Sequence, residues 1–151
     1  MNIKVKKEHP DAIIPQYMTP GAGGFDLYAV EDVTICAGDL SVKVSTGLSF
    51  EIPEGWGMKL LMKSGYGSNT SLRPTLGTGL IDSDYRGVVS MMFDNVSLTT
   101  SSSGLRNHTI KKGQRMCQGV LVQLPQFTFV ESEELTETTR GNGGFGHTGI
   151  N

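Results

Sequence analysis

The chain has 151 residues, 20 of them glycine, with 37% hydrophobic residues and a formal net charge of −2. This length suits a single domain with a core, and the glycine content indicates many turns. The balanced charge, without a clustered excess of Lys and Arg, argues against a general nucleic-acid-binding surface.

The cysteines and the N-terminal residues bear on metal binding and on cellular location. Cys36 and Cys117 lie far apart, without a C-x-x-C pair or partnering histidines, so we predict buried reduced thiols and no zinc site. Residues 1–7 alternate charged and apolar side chains, unlike a signal peptide, and no apolar run approaches the about 18 residues of a membrane span. We therefore expect a soluble protein of the cytoplasm, or of the host cytoplasm if the source is a phage or virus, without a membrane partner.

Short strand signals follow one another along the chain, each bounded by Gly, Pro, Asn or Ser clusters. No window of a dozen residues shows the i, i+3, i+4, i+7 spacing of an amphipathic helix. We therefore expect an all-β barrel or jelly-roll-like fold with at most one short helix, near residues 64–72. The predicted strands are 3–5, 33–35, 42–44, 48–50, 56–62, 88–93, 109–110, 116–124 and 127–130, with the third and fourth joined in a tight hairpin.

Residues 79–87, GLIDSDYRG, place polar side chains between two apolar shoulders and predict a second hairpin. Asp82 ends the incoming strand, where the sheet would hold it rigidly, and Tyr85 follows three residues later. A fixed carboxylate beside an aromatic ring suits activation of a water next to a bound small molecule. For an isolated D-x-D pattern, a solvated acidic turn is the plainer alternative.

Two stretches earlier in the chain contain polar side chains that the structure of a turn alone does not explain. In residues 23–29, GGFDLYA, the carboxylate of Asp26 lies between apolar neighbours after two glycines. In residues 63–67, KSGYG, a strand ends with a cation, a hydroxyl and two glycines, a set that can hold phosphate oxygens through backbone N–H groups and a point charge. The second stretch is too short for a P-loop.

Two later stretches show the same feature. Residues 111–118, KKGQRMCQ, form a basic turn entering a strand, where the Gln118 amide can hydrogen-bond a ligand. Residues 140–149, RGNGGFGHTG, lack the side chains of a core, so they indicate either a disordered terminus or a mobile flap. In such a flap Arg140 would bind phosphate and Phe145 would stack on a base.

In order and spacing, these five stretches resemble the five motifs of the trimeric dUTP pyrophosphatases (dUTPases), from about residue 20 to the C-terminus. The resemblance implies a jelly-roll-like β-barrel subunit of a homotrimer over residues 1–138 and a mobile Gly-rich active-site tail over residues 139–151. It implies hydrolysis of dUTP to dUMP and diphosphate with Mg²⁺ at three sites between subunits. Such an activity limits uracil incorporation into DNA and supplies dUMP for dTMP synthesis.

The resemblance also implies roles for individual residues. Asp82 would be the general base that activates the water attacking the α-phosphorus. Tyr85 would pack against the deoxyribose and exclude a 2′-hydroxyl, while the backbone near Gly79 and Val89 would read the uracil edge. Asp26 would hold waters of the Mg²⁺ ion. The other implied substrate contacts are Lys63, Ser64, Gly65, Gln118, Arg140, Phe145, Gly146, His147 and Thr148.

Lys63 is the main departure from the family pattern, which usually has arginine there. Lysine supplies charge without the planar two-pronged geometry, so phosphate alignment at this position is expected to differ.

Two alternatives and one loop remain open. The related dCTP deaminases share the fold but use a glutamate that the third motif lacks. A phage-type regulator would bind a protein partner in a nucleotide-dependent way, and this role is compatible with catalysis by Asp82. The Ser- and Thr-rich run 97–104 predicts an exposed loop, which could be a family-specific decoration or a partner-binding insertion.

Overall fold

The computed structural model describes residues 2–97 and 106–144. In this part of the chain there are eleven short strands and one helix. They are β1 (Lys4–Lys7), β2 (Phe25–Tyr28), β3 (Val33–Ile35), β4 (Val42–Ser45), β5 (Leu48–Glu51), β6 (Trp56–Met62), α1 (Ser64–Asn69), β7 (Leu72–Pro74), β8 (Gly79–Ile81), β9 (Ser90–Asn95), β10 (His108–Ile110) and β11 (Arg115–Gln123).

The strands pair in antiparallel fashion in four sheets. The largest has the order β2-β11-β6-β8, a second has the order β4-β9-β7, and two small sheets pair β1 with β5 and β10 with β3. In β9, Met91 and Phe93 are buried while the residues between them are partly exposed, the period of two expected of a strand with one face on the core. The predicted all-β class with one short helix is confirmed.

Both predicted hairpins are wrong. β4 pairs with β9 and β5 pairs with β1, so these consecutive strands do not pair with each other. β8 pairs with β6, whereas β9 pairs with β4 and β7. Each pair of consecutive strands is divided between two sheets, and Val44 of β4 and Leu48 of β5 are both buried in the one hydrophobic core.

The predicted strand at 127–130 is also wrong. Phe127 and Phe129 are 76% and 97% exposed, and no strand is present from residue 124 to residue 144. The alternation of Phe and Thr is typical of a strand, but a strand needs a neighbour for its backbone groups, and this chain supplies none there. Most of the predicted loop 97–104 lies outside the described residues.

The prediction for the two cysteines is correct for one of them. Both cysteines are free; Cys117 is buried as predicted, whereas Cys36 is exposed, contrary to the prediction. Among the described residues, no helix is long and apolar enough to cross a membrane.

A substitution at Gly119 of β11 would test how closely this strand packs on the core. A β-carbon there would lie 2.6 Å from Cζ of Phe25 and 2.9 Å from Sδ of Met58. We expect Gly119→Ala to lower the free energy of unfolding by about 1–3 kcal/mol, as overpacking of a core does. Gly21→Ala is the control, because no atom lies within 4 Å of the added carbon. Urea unfolding measures both variants, and equal midpoints would contradict the packing described here.

Candidate active site

Asp26 is the centre of a cluster of charged and polar groups. Its side chain is only 1% exposed, and it lies opposite Gln118 in the pairing of β2 with β11. Oδ1 of Asp26 accepts hydrogen bonds from Lys63 Nζ at 2.6 Å and from Gln118 Nε2 at 3.2 Å. Oδ2 accepts one from Arg115 Nη1 at 3.2 Å. We call these four residues the Asp26 cluster.

The cluster keeps the buried carboxylate ionised. Burial by itself raises the pKa of Asp26, but the hydrogen bonds from Lys63, Gln118 and Arg115 and the positive charge of Lys63 outweigh it and hold the pKa below its ordinary value. Two cations then face one carboxylate, so the cluster carries a net positive charge. Such a cluster suits an anionic ligand.

Arg115 belongs to the cluster although the motif comparison did not single it out. Arg115 and Gln118 are three residues apart, so in a regular strand their side chains would point to opposite faces. The register of β11 against β2 shifts between Arg115 and Cys117, and this irregularity lets both side chains reach Asp26. The bulge could not be read from the sequence.

The polar groups expected to hold phosphate lie beside this cluster. Ser64 and Gly65 begin α1 directly after Lys63. A cleft of about 350 Å³ opens there, lined by Lys63, Gly65, Tyr66, Thr70, Gln114 and Arg115. Cys117 is adjacent, and burial above all, with the nearby Asp26 charge, raises its pKa to about 12, so at neutral pH it is an inert thiol.

Asp82 lies in a different place, directly after β8. The Tyr85 N–H donates to the Asp82 carbonyl at 3.3 Å, which closes a turn. The Tyr85 ring packs so closely on Gly87 that a β-carbon there would overlap the phenol group. Tyr85 is 44% exposed, so the ring presents an aromatic surface next to the carboxylate.

A cleft of about 650 Å³ extends from Asp82. Three acidic residues, Glu54, Asp82 and Asp84, and one basic residue, Arg86, are among those that line it. Nη1 of Arg86 already donates to the carbonyls of Ser83 and Tyr85. The Asp82 cleft is therefore acidic and by itself does not suit a polyphosphate.

A narrow cavity of about 100 Å³ is lined by residues of both β8 and β9, which belong to different sheets. Gly79 of β8 and Ser90 of β9 both line it. β8 is an edge strand, with β6 on its other side. The carbonyl of Met92, two residues after Ser90, accepts from Thr75 on the side away from β4. By the period of two, the Ser90 N–H and C=O also point away from β4, toward the cavity.

Val89 has no free backbone group for a ligand. Its N–H donates to the Leu48 carbonyl at 2.8 Å, and its own carbonyl accepts from the N–H and the hydroxyl of Thr46. The next residue, Ser90, is the one that lines the cavity.

The structure brings the predicted site residues together in two separate groups. Asp26, Lys63, Ser64, Gly65 and Gln118 form one, and Gly79, Asp82, Tyr85 and Val89 form the other.

The pairing of β6 with β8 gives the distance between these groups. Ile81 faces Met58, so Asp82 comes level with Gly57, while Lys63 follows the other end of β6. At about 3.3 Å per residue, the six steps from Gly57 to Lys63 separate the two groups by about 20 Å.

The last predicted residues belong to the C-terminal segment. Arg140 is exposed, and its Nε donates to the Gly143 carbonyl at 2.8 Å. Phe145, Gly146, His147 and Thr148 lie outside the described residues.

A cationic cluster, a carboxylate at a strand end and a narrow cavity are the features of an all-β enzyme that acts on a small phosphorylated molecule. The sequence model of the dUTPase family matches residues 10–149. A deoxyuridine 5′-triphosphate nucleotidohydrolase of Helicobacter pylori (strain P12) is 38% identical over 151 residues, covering 99% of this chain and 98% of that protein. One from Helicobacter hepaticus is 40% identical over 150 residues, covering 99% and 90%. The chain belongs to the dUTPase family.

Solved structures show the same fold. Staphylococcus bacteriophage 80alpha dUTPase, solved with dUpNHpp, has a TM-score of 0.89 and 24% identity, with 99% of each chain covered. The fold is the jelly-roll-like one that the motifs implied.

Lys63→Met tests the charge balance of the Asp26 cluster. Removing one partner of a buried ion pair costs about 3–5 kcal/mol, and because Arg115 and Gln118 remain, we expect a loss nearer about 2 kcal/mol at pH 7. The pKa of Asp26 should rise. Its lowered pKa stabilises the wild type above about pH 4, the unfolded value, and this contribution is lost as the pH falls through the folded pKa, so the difference between wild type and variant should shrink in acid.

Carboxyl-carbon NMR titration and urea unfolding at several pH values measure these effects. Lys59→Met is the matched control, since Lys59 is an exposed lysine of β6, the strand that Lys63 directly follows, and forms no ion pair within the described residues. An unchanged Asp26 titration in Lys63→Met would refute the ion pair.

Proposed function

We propose that this protein hydrolyses dUTP to dUMP and diphosphate in the cytoplasm, by in-line attack of water on the α-phosphorus. The observation that carries the proposal is the position of Asp82 at the end of β8, directly beyond the cavity that residues of β8 and β9 line. Membership of the dUTPase family and the relatives named deoxyuridine 5′-triphosphate nucleotidohydrolase support it. The reaction would limit uracil incorporation into DNA and supply dUMP for dTMP synthesis.

The cavity suits the uracil ring. Its walls include two strand edges that are not paired with each other, at Gly79 and at Ser90. Backbone N–H and C=O groups at such edges can hydrogen-bond the polar edge of a flat ring. Cytosine carries an amino group where uracil carries a carbonyl, so fixed backbone groups would be left unpaired with the wrong base.

Asp82 and Tyr85 then take the roles implied by the motif. With the base in the cavity, the sugar would pass the Tyr85 ring, which would fill the space of a 2′-hydroxyl and so exclude ribonucleotides. The Asp82 carboxylate would accept the proton of the attacking water at the α-phosphorus. A general base of this kind contributes about 10²- to 10⁴-fold in rate.

The triphosphate requires more positive charge than the Asp82 cleft supplies, since its lining has three acidic residues and one arginine, Arg86. Lys63 and Arg115, the two cations of the Asp26 cluster, lie about 20 Å away at the other end of β6, a distance that one phosphate chain cannot span. A second copy of the chain can supply them at the same site. We therefore propose sites shared between the subunits of a homotrimer, with Ser64, Gly65, Gln118 and Arg140 as further phosphate contacts.

The C-terminal segment supports assembly. Phe127, Phe129, Val130 and Leu135 are all exposed by more than three quarters of their surface. Exposed apolar side chains gain stability by packing on a neighbouring subunit. It would carry Arg140 and the tail residues 145–148 to a site on that neighbour.

Mg²⁺ would enter with the substrate. Among the described residues, no three His, Cys, Asp or Glu side chains are grouped so that they could hold a metal ion. The Asp26 oxygens accept three protein donors and retain capacity for a further one, but the side chain is 1% exposed, so contact with waters of the ion would require Lys63 or Arg115 to move aside. When bound to the triphosphate, Mg²⁺ neutralises phosphate charge. No described residue requires a regulatory protein partner.

Asp82→Asn tests the general base. We expect turnover of dUTP to fall by at least about 10²-fold with dUTP binding retained, because the amide cannot accept the proton of the water. Diphosphate release measures turnover and calorimetry measures binding. Asp84→Asn is the matched control in the same loop and should remain near wild type. Near wild-type turnover in Asp82→Asn would sink the assignment.

Mixed trimers test the sharing of sites. Asp82→Asn chains and chains ending before Arg140 should each be nearly inactive when pure. After joint refolding in equal amounts, a site has an intact base half of the time and an intact tail half of the time, so about 25% of wild-type activity should return. Diphosphate release measures the recovery. If base and tail came from the same chain, the mixture would stay inactive.

A further inference from the structure

Arg86 bonds the turn that carries Asp82 and Tyr85. Its Nη1 donates to the Ser83 carbonyl at 2.6 Å and to the Tyr85 carbonyl at 3.1 Å. Both hydrogens of this nitrogen are therefore used on one turn. The donor is charged, and hydrogen bonds from a charged donor are shorter and stronger than those between neutral groups.

Two further hydrogen bonds within this turn are weaker. The Tyr85 N–H donates to the Asp82 carbonyl at 3.3 Å, and the Tyr85 hydroxyl donates to the Val88 carbonyl at 3.4 Å. Both distances are longer than is usual for hydrogen bonds in proteins. Asp82, Asp84 and Tyr85 are exposed, so burial in the core does not hold this backbone. The position of the turn therefore depends in large part on the two hydrogen bonds from Arg86.

The charge of Arg86 is not taken up by an ion pair. Arg86 lines the Asp82 cleft together with three acidic residues, and it also lines a neighbouring cleft of about 340 Å³ together with Glu8 and Glu51. Within the described residues it nevertheless forms no ion pair with any of these carboxylates. Its guanidinium bonds the backbone of the turn instead, so its effect is on the geometry of the turn.

Arg73 provides a matched comparison, since both arginines are exposed. Its Nη1 donates to the Thr70 carbonyl at 3.0 Å and to the Leu72 carbonyl at 2.7 Å, the carbonyls three residues and one residue before it, as in Arg86. Thr70 lines the cleft beside the Asp26 cluster, but neither Thr70 nor Leu72 is a proposed substrate contact. Arg73 therefore shows what such an arginine contributes to the fold alone.

We propose that Arg86 is a positioning residue for hydrolysis. By holding the carbonyls of Ser83 and Tyr85, it fixes the backbone that directs the Asp82 carboxylate and the Tyr85 ring. This rests on the proposed function, in which Asp82 accepts the proton of the water and Tyr85 excludes ribonucleotides. Arg86 acts through these two residues and needs no contact with the reacting atoms. A misplacement of about 1 Å in an active site can cost about 10²-fold in rate.

The experiment compares Arg86→Met and Arg73→Met with wild type as full-length chains. We expect kcat for dUTP to fall by about 10- to 100-fold in Arg86→Met while KM stays within about threefold, because the substrate still binds but the base is misplaced. The turnover of UTP relative to dUTP should rise, since the Tyr85 ring is no longer fixed. Arg73→Met should keep the wild-type kcat and the wild-type ratio. Diphosphate release supplies these measurements.

Thermal unfolding without nucleotide separates positioning from stability. Both Met variants lose an equivalent pair of local hydrogen bonds at an exposed side chain, so their thermal midpoints should fall by similar amounts. A purely structural role would affect the two variants alike in every measurement. A positioning role predicts that kcat falls in Arg86→Met and not in Arg73→Met.

A wild-type kcat in Arg86→Met, or an equal loss of kcat in Arg73→Met, would overturn the proposal. So would an unchanged ratio of UTP to dUTP turnover, or a rise in KM with kcat unchanged, which would make Arg86 a phosphate contact. Failure of the proposed function looks different. The wild type itself would then release no diphosphate from dUTP, and the role of Arg86 would be refuted with it.

Discussion

The antiparallel pairing of β6 with β11 is the constraint on which the arrangement of the site depends. Seven consecutive residue pairs, from Cys117 with Met62 to Gln123 with Trp56, keep the two strands in one register. β2 adds to one side of this pair and β8 to the other. The first addition places Asp26 beside Gln118, and the second places Asp82 at the far end of β6. A slip of one residue would turn every side chain to the opposite face, so this register determines which groups can act together.

The same register separates charges of opposite sign. Cations exceed carboxylates at the Asp26 cluster, and carboxylates exceed cations in the Asp82 cleft. Neither end of the sheet alone offers both a general base and the counter-charge for a triphosphate. In the proposed function, the Asp82 end of one chain meets the Asp26 cluster of another. The exposed apolar side chains after β11 are available for that contact. In the proposed function, assembly and catalysis both depend on this separation of charge.

Some polar groups in the structure have hydrogen-bond partners within the protein, and others do not. The Asp26 carboxylate has three donors and the Val89 backbone has its full set of partners, so both are held rigidly before any ligand arrives. Ser90 Oγ is buried and unpaired. Groups that already have their hydrogen-bond partners are held in place and can position a site. A buried polar group without a partner costs free energy.

The sequence by itself determined those features that depend on residues close together along the chain. The run of residues 56–62 predicted the bounds of β6, the segment 64–72 contains the predicted short helix, and the motif around Asp82 indicated a carboxylate at a strand end. The tertiary structure decided which strand pairs with which, the bulge that brings Arg115 to Asp26, and the absence of a strand at 127–130. Local patterning follows from steric and hydrophobic periods along the chain. The partner of a strand edge or of a buried hydroxyl lies far away in sequence, so only the folded chain reveals it.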